Sequence, residues 1–182
     1  LITGQQIYKH LGLKAHDSLP GVYVGWQQIL CNWIEACGNT KVGRTINASS
    51  ISRARSQGGA DWWFDSYFIL PDKEATYEVE RIFKNTMKPY NFTVLEGKKL
   101  LQGQTELYYL YPWEATEKIK ILLDGFKFDF KSRYPDFEII DIVKEMTHLV
   151  IDEDGNKRRK LVGENEWIGV GYIENHPSYR YR

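Results

Sequence analysis

Residues 21–26 carry the strongest constraint in this chain: Val22, Val24 and Trp26 alternate with Tyr23 and Gly25, directly after Pro20. A period of two is the mark of a half-buried strand, and it sends Tyr23 to the face opposite Val22 and Val24. Thr40 to Thr45 reads as a second strand, and the aromatic-rich run Trp62 to Leu70, stopped by Pro71, as a third, well-buried one. A loop or short helix between the first two makes an antiparallel pair the simplest topology. Asp72 then caps a helix running to about Thr86, with Ala75, Val79, Ile82 and Phe83 on its core side and Glu80 at the edge of that stripe, facing a cleft. The expected fold class is α+β, a small central antiparallel sheet flanked by helices.

Around this centre the signals are shorter. Ile7, Leu11 and Leu13 suggest a helix between Gln5 and Leu13, ended by Ser18, Pro20 and Gly21. Between the first two strands, Gln27 to Asn39 has Ile29, Leu30, Trp33 and Ile34 at helical spacing. Asn47, Ser49 and Ser50 are N-cap candidates for a short helix through Gln57, which Gly58 and Gly59 stop and which carries Arg53 and Arg55. Ile119, Leu122 and Leu123 mark a helix from Trp113 to Leu123. Past Gly125, two apolar runs (139–143 and 149–151) precede the turn signal Asp152 to Asn156 and the basic run Lys157, Arg158, Arg159 and Lys160. The expected division is a helical extension over 1–18, a central domain over 19–124, and a β-rich C-terminal appendage with a hairpin over 125–182.

A length of 182 residues with 42% hydrophobic content suffices for one substantial core. The 24 basic and 24 acidic residues cancel, so any nucleic-acid site must come from local charge segregation. Apolar runs are far shorter than the roughly 20 residues of a bilayer span, so no membrane association is expected. No secretory signal is read at the start, and the expectation is a soluble intracellular protein, cytoplasmic or nuclear according to its host. Cys31 and Cys37 lack the close spacing of a zinc site and read as reduced thiols, while His10, His16, His148 and His176 form no ligand or triad spacing.

Gly21-Val22-Tyr23, then Lys41-Val42-Gly43-Arg44-Thr45, then the basic segment with Arg53, then Glu80, follow one another in an order that resembles the GIY-YIG nuclease domain. The resemblance covers about Leu19 to Leu123, and Gly103 to Tyr109 resembles a late block of one subgroup, in which a Glu followed by aromatics forms a short strand before a closing helix. It implies an endonuclease that hydrolyses DNA phosphodiester bonds with a single Mg²⁺ or Mn²⁺ ion bound by Glu80. Tyr23 is the implied general base, Lys41 stands where many relatives carry a second tyrosine, and Arg53 is the implied phosphate-binding arginine, with Arg55 close enough to compete. Lys also occurs at the position of Lys41 in a recognised subgroup. Arg44 is either a further phosphate contact or a strand-end ion-pair partner, and Asn85 or Asn91 matches a polar position downstream of the family's glutamate.

The implied substrate is double-stranded DNA, and because one centre cuts one strand, a double-strand break needs a homodimer or two encounters. Family members serve in mobile elements, phage, restriction and repair. A phenol of ordinary pKa near 10 is a poor base at neutral pH, so the nearby Lys41 ammonium is expected to make Tyr23 more acidic. Taken singly the residues have plainer readings: Tyr23 as strand packing, Glu80 paired with Lys84 one turn on, and Lys157 to Lys160 as a charged hairpin edge rather than a DNA contact. A non-catalytic nucleic-acid-binding module on the same fold and a protein-interaction domain are the competing functions.

Overall fold

The computed structural model describes residues 2–27, 40–49, 62–91, 106–151, 153 and 157–161. Its elements are α1 (Gly4–Leu11), β1 (Gly21–Gln27), β2 (Thr40–Thr45), β3 (Trp62–Ile69), α2 (Lys73–Thr86), β4 (Leu107–Tyr108), α3 (Pro112–Arg133), β5 (Ile140–Asp141), α4 (Ile142–Met146), β6 (Thr147–Ile151) and β7 (Lys157–Leu161). The fold is α+β. Five strands form one sheet in the order β4-β2-β1-β3-β5, every neighbouring pair antiparallel.

The alternation in β1 sorts the core into two layers. Val22 and Val24, with Val42, Phe68 and Leu70, pack under Ala75, Val79 and Phe83 of α2 and under Ala115, Ile119 and Leu123 of α3. On the other side Tyr23, Phe64 and Tyr67 meet Ile7 and Tyr8 of α1 and Ile142, Val143 and Met146 of α4. Phe64 and Tyr67 share that layer because the β1–β3 register slips between Val24 and Gly25: Val24 pairs with Ser66 and Gly25 with Phe64, leaving Asp65 as the extra residue of a bulge. Asp65 is buried. The Thr116 hydroxyl donates to its carboxylate at 2.6 Å and lies 2.8 Å from the Ser66 hydroxyl, so α3 satisfies the polar groups that the bulge turns inward.

Helix α1 starts at a capping box between Thr3 and Gln6 and stops at Gly12, whose φ of 68° is the left-handed conformation of a C-cap glycine. It therefore ends well before Ser18, Pro20 and Gly21. Asp72 caps α2 as expected, accepting from the Ala75 N–H at 2.8 Å. On α2, however, the buried set is Ala75, Thr76, Val79, Glu80 and Phe83, and Ile82 is only half-buried. Helix α3 runs through Gly125 to Arg133, so position 124 lies inside a helix. Beyond it, β5 extends the main sheet beside β3 and α4 enters the second core layer. The 1–18 segment is likewise built in, with Ile2 bridging to Phe64 and buried together with Ile7 and Tyr8.

The hairpin read at the C-terminal end is present as β6 paired with β7, from Thr147↔Leu161 to Ile151↔Lys157, in a separate two-stranded sheet. The helix expected through Gln57, the helical reading between the first two strands, and both cysteines lie outside the described residues.

Candidate active site

Tyr23 sits in the central strand with Gly43 as its cross-strand partner on β2. Its ring lies flat over that glycine: a Cβ at position 43 would stand 2.6 Å from the hydroxyl oxygen. Phe64 closes the far side edge-on, with centroids 5.2 Å apart, and Tyr23 is left 4% exposed. Lys41, two residues before Gly43, projects to the same side of the sheet, and its ammonium bonds the Tyr23 hydroxyl.

From Lys41 a chain of alternating charge leads round to α2. Lys41 Nζ is 3.0 Å from Glu106 Oε2, and Glu106 immediately precedes β4, whose Leu107 pairs with Lys41. Lys84 Nζ lies 4.0 Å from Glu106 Oε1 and 3.4 Å from Glu80 Oε1. Glu80 Oε2 in turn accepts from Arg44 Nε at 3.0 Å, and the Arg44 guanidinium rests 3.2 Å above the Tyr77 ring. Arg44 pairs with Val22 across the sheet, so it points to the α2 side while Lys41 points to the Tyr23 side. Glu80 and Lys84 border an open cleft of about 630 Å³ along α2, with Tyr77, Arg81 and Asn85.

Burial sets the ionisation of this group. It pushes the Tyr23 phenol above its ordinary range; the Lys41 charge and hydrogen bond pull it down, and Glu106 and Glu80 push it up again. The expected acidification of Tyr23 by Lys41 is therefore outweighed: Lys41 is in place, but a buried phenolate loses more solvation than the ammonium returns. Burial by itself would lower Lys41, yet the facing Tyr23 and Glu106 oxygens raise it above its usual value, so the resting pair is ammonium and neutral phenol.

The residues singled out from sequence thus divide. Tyr23, Lys41, Arg44 and Glu80 belong to one connected cluster. Glu80 borders the cleft but is largely enclosed: its side chain is 11% exposed and both oxygens meet cations, including the Lys84 partner of its plainer reading. Arg53 and Arg55 lie outside the described residues, and Lys157, Arg158, Arg159 and Lys160 are described through the pairing of β7 with β6. In the sequence Glu106 stands out only as part of a strand block, and Tyr77 carries no motif of its own. A signal for Tyr77 existed, because it lies three residues before Glu80 on one helix face.

For a divalent cation Glu80 offers a single hard carboxylate. Among the described residues no group of three or more His, Cys, Asp or Glu converges to hold a metal. Among the described residues Glu80 Oε1 is held by Lys84 alone, whose side chain is 36% exposed, and an ion pair of that exposure contributes about 0–1 kcal/mol. That oxygen is exchangeable, so the carboxylate fits a cation completed mainly by water and substrate oxygens. Comparison with protein-family models, curated proteins and solved structures finds no match to this chain.

Proposed function

We propose that this chain is a divalent-metal-dependent endonuclease acting on double-stranded DNA, with a GIY-YIG-type centre formed by Tyr23, Lys41 and Glu80 and completed by Arg53 or Arg55. The observation that carries the reading is the connection of the first three, distant in sequence, through Glu106 and Lys84 in one network of bonds and ion pairs whose Glu80 end borders an open cleft. Mg²⁺ or Mn²⁺ on Glu80 would supply Lewis-acid stabilisation of the phosphoryl oxygens and of the leaving oxygen.

Hydrolysis adds a water oxygen to phosphorus, breaks the bond from phosphorus to O3′, and requires one proton to leave the water and one to reach O3′. Tyr23 is the acceptor at the attacking side, once it has given its own proton to solvent, and O3′ takes its proton from solvent. Lys41 favours that phenolate, whereas the Glu80 and Glu106 charges oppose it. Neutralising Glu80 therefore also eases the ionisation of Tyr23, which couples occupation of the carboxylate to readiness of the base.

Supercoiled plasmid incubated with Mg²⁺, Mn²⁺ or EDTA tests the proposal, with nicked and linear products scored separately. Wild type should cut with either metal and not with EDTA. Glu80→Ala should cut at least about a thousandfold more slowly, equivalent to roughly 4 kcal/mol of barrier. An equal rate for the variant removes Glu80 from the mechanism, and plasmid bound but intact under every metal condition identifies a non-catalytic binding module.

A further inference from the structure

Lys41 carries its charge on a flexible stem, and holding such a side chain in one place takes an anchor as well as a target. The Tyr23 hydroxyl is the target. The anchor is Glu106, at 3.0 Å, and its position is fixed from several directions. Leu107 pairs with Lys41 and Tyr108 with Thr40; the Tyr108 ring is fully buried, edge-on to Phe83 at 5.2 Å. Tyr108 also bridges to Asn91, and the Tyr109 N–H donates to the Tyr90 carbonyl at 2.8 Å. A short edge strand would be a poor platform by itself, but these contacts tie it to both β2 and the segment after α2.

We propose that Glu106 is the positioning residue of this site: its carboxylate holds the Lys41 ammonium against the Tyr23 hydroxyl, so that the Tyr23–Lys41 contact exists only while Glu106 is charged or can still accept a hydrogen bond. The catalytic meaning of the contact rests on the nuclease reading; the positioning itself does not. The charged and titratable groups that act on Tyr23 or on which it acts are Lys41 from β2, Glu106 before β4, Glu80 from α2 and Tyr67 from β3. Loss of the Glu106 charge alone makes Tyr23 easier to ionise. Loss of Lys41 from the hydroxyl makes it harder, and of the charges around Tyr23 the Lys41 charge acts most strongly.

The two effects have opposite sign, which makes the test sharp. Glu106→Gln removes the charge and keeps an acceptor oxygen; Glu106→Ala removes both. Tyrosinate absorbance is followed against pH in each protein, with Tyr23→Phe in the same background subtracted to isolate Tyr23. Lys41 accessibility is followed by labelling with an amine-directed reagent and peptide mass spectrometry, using Lys118 and Lys120 as internal controls. Tyr23 should ionise at lower pH than wild type in Glu106→Gln and at higher pH in Glu106→Ala. Lys41 should label at least severalfold faster in Glu106→Ala, with both controls unchanged.

Unchanged labelling of Lys41 in Glu106→Ala, or a downward shift of Tyr23 in both variants, overturns the proposal, because Lys41 then stays on Tyr23 unaided. Should Glu106→Ala fail to fold, Glu106→Leu, which keeps side-chain bulk and offers no acceptor oxygen, takes its place: Tyr23 should again ionise at higher pH than wild type with Lys41 labelling faster, and a downward shift or unchanged labelling rejects the idea. Plasmid cleavage by wild type is scored in the same buffers. Released Lys41 without any wild-type cleavage refutes the nuclease reading and leaves the positioning intact, while cleavage with an unmoved Lys41 does the reverse.

Discussion

A methyl group at position 43 would stand 2.6 Å from the Tyr23 hydroxyl oxygen and 2.8 Å from its Cζ, closer than packed atoms tolerate. Gly43→Ala must therefore push the Tyr23 ring off the sheet or spread β1 from β2. Overpacking of this kind costs about 1–3 kcal/mol, to be read from urea denaturation, and it should separate Tyr23 from Lys41 and cut plasmid cleavage sharply. Tyr23→Phe asks a narrower question. The ring and its contact with Phe64 remain, and Lys41 keeps Glu106, so stability should change by no more than about 1 kcal/mol. Cleavage should nevertheless fall at least about a hundredfold if the hydroxyl takes part in proton transfer. A well-folded Phe variant with full turnover would return Tyr23 to core packing.

Among the elements, α2 carries Glu80 and is clasped at its first turn by the residue that follows α3: the Tyr134 hydroxyl donates to the Asp72 cap carboxylate, and Arg133 lies 3.6 Å from Glu78. The Tyr134 hydrogen bond, then the Ala75 N–H, holds the Asp72 pKa below its ordinary 3.8. A depressed carboxylate pKa stabilises the fold above the unfolded value and stops doing so as pH falls through the folded one. Tyr134→Phe should accordingly lower the melting temperature at neutral pH, and the gap to wild type should close as pH drops below about 4. A gap that persists in acid would assign the effect to lost packing. This clasp was not readable from the chain, because it joins positions far apart through a single hydroxyl. The first three strands and the start of α2 were readable, since alternation from Val22 and the Asp72 cap are local signals. Strands β4 and β5 have two residues each, too few to show a period. In the site, Tyr23, Lys41 and Glu80 stood out by order, but the enclosure of Glu80 depends on Arg44, and the anchoring of Lys41 on Glu106, neither of which local spacing brings near.

For the whole molecule, the residues after α3 complete the core rather than decorate it. Ile142, Val143 and Met146 are buried, and exposing each costs about 1.5–3 kcal/mol, a sum comparable to the entire stability of an ordinary domain. A chain ending at Asp124 should show no cooperative thermal transition by circular dichroism, whereas one ending at His148, which lacks β7 and most of β6, should retain it. Two sharp transitions would restore a domain boundary at 124. The sheet order has a bearing on how such a chain acquires its shape during synthesis. The first strand made is the central one, the second and third flank it, and the fourth and fifth are added outside these. Among the described strands, each new one thus meets an exposed edge as it leaves the ribosome, and none has to be threaded between two already paired. The nascent chain can grow its sheet outward in step with translation, with β5, which closes the β3 edge, arriving last.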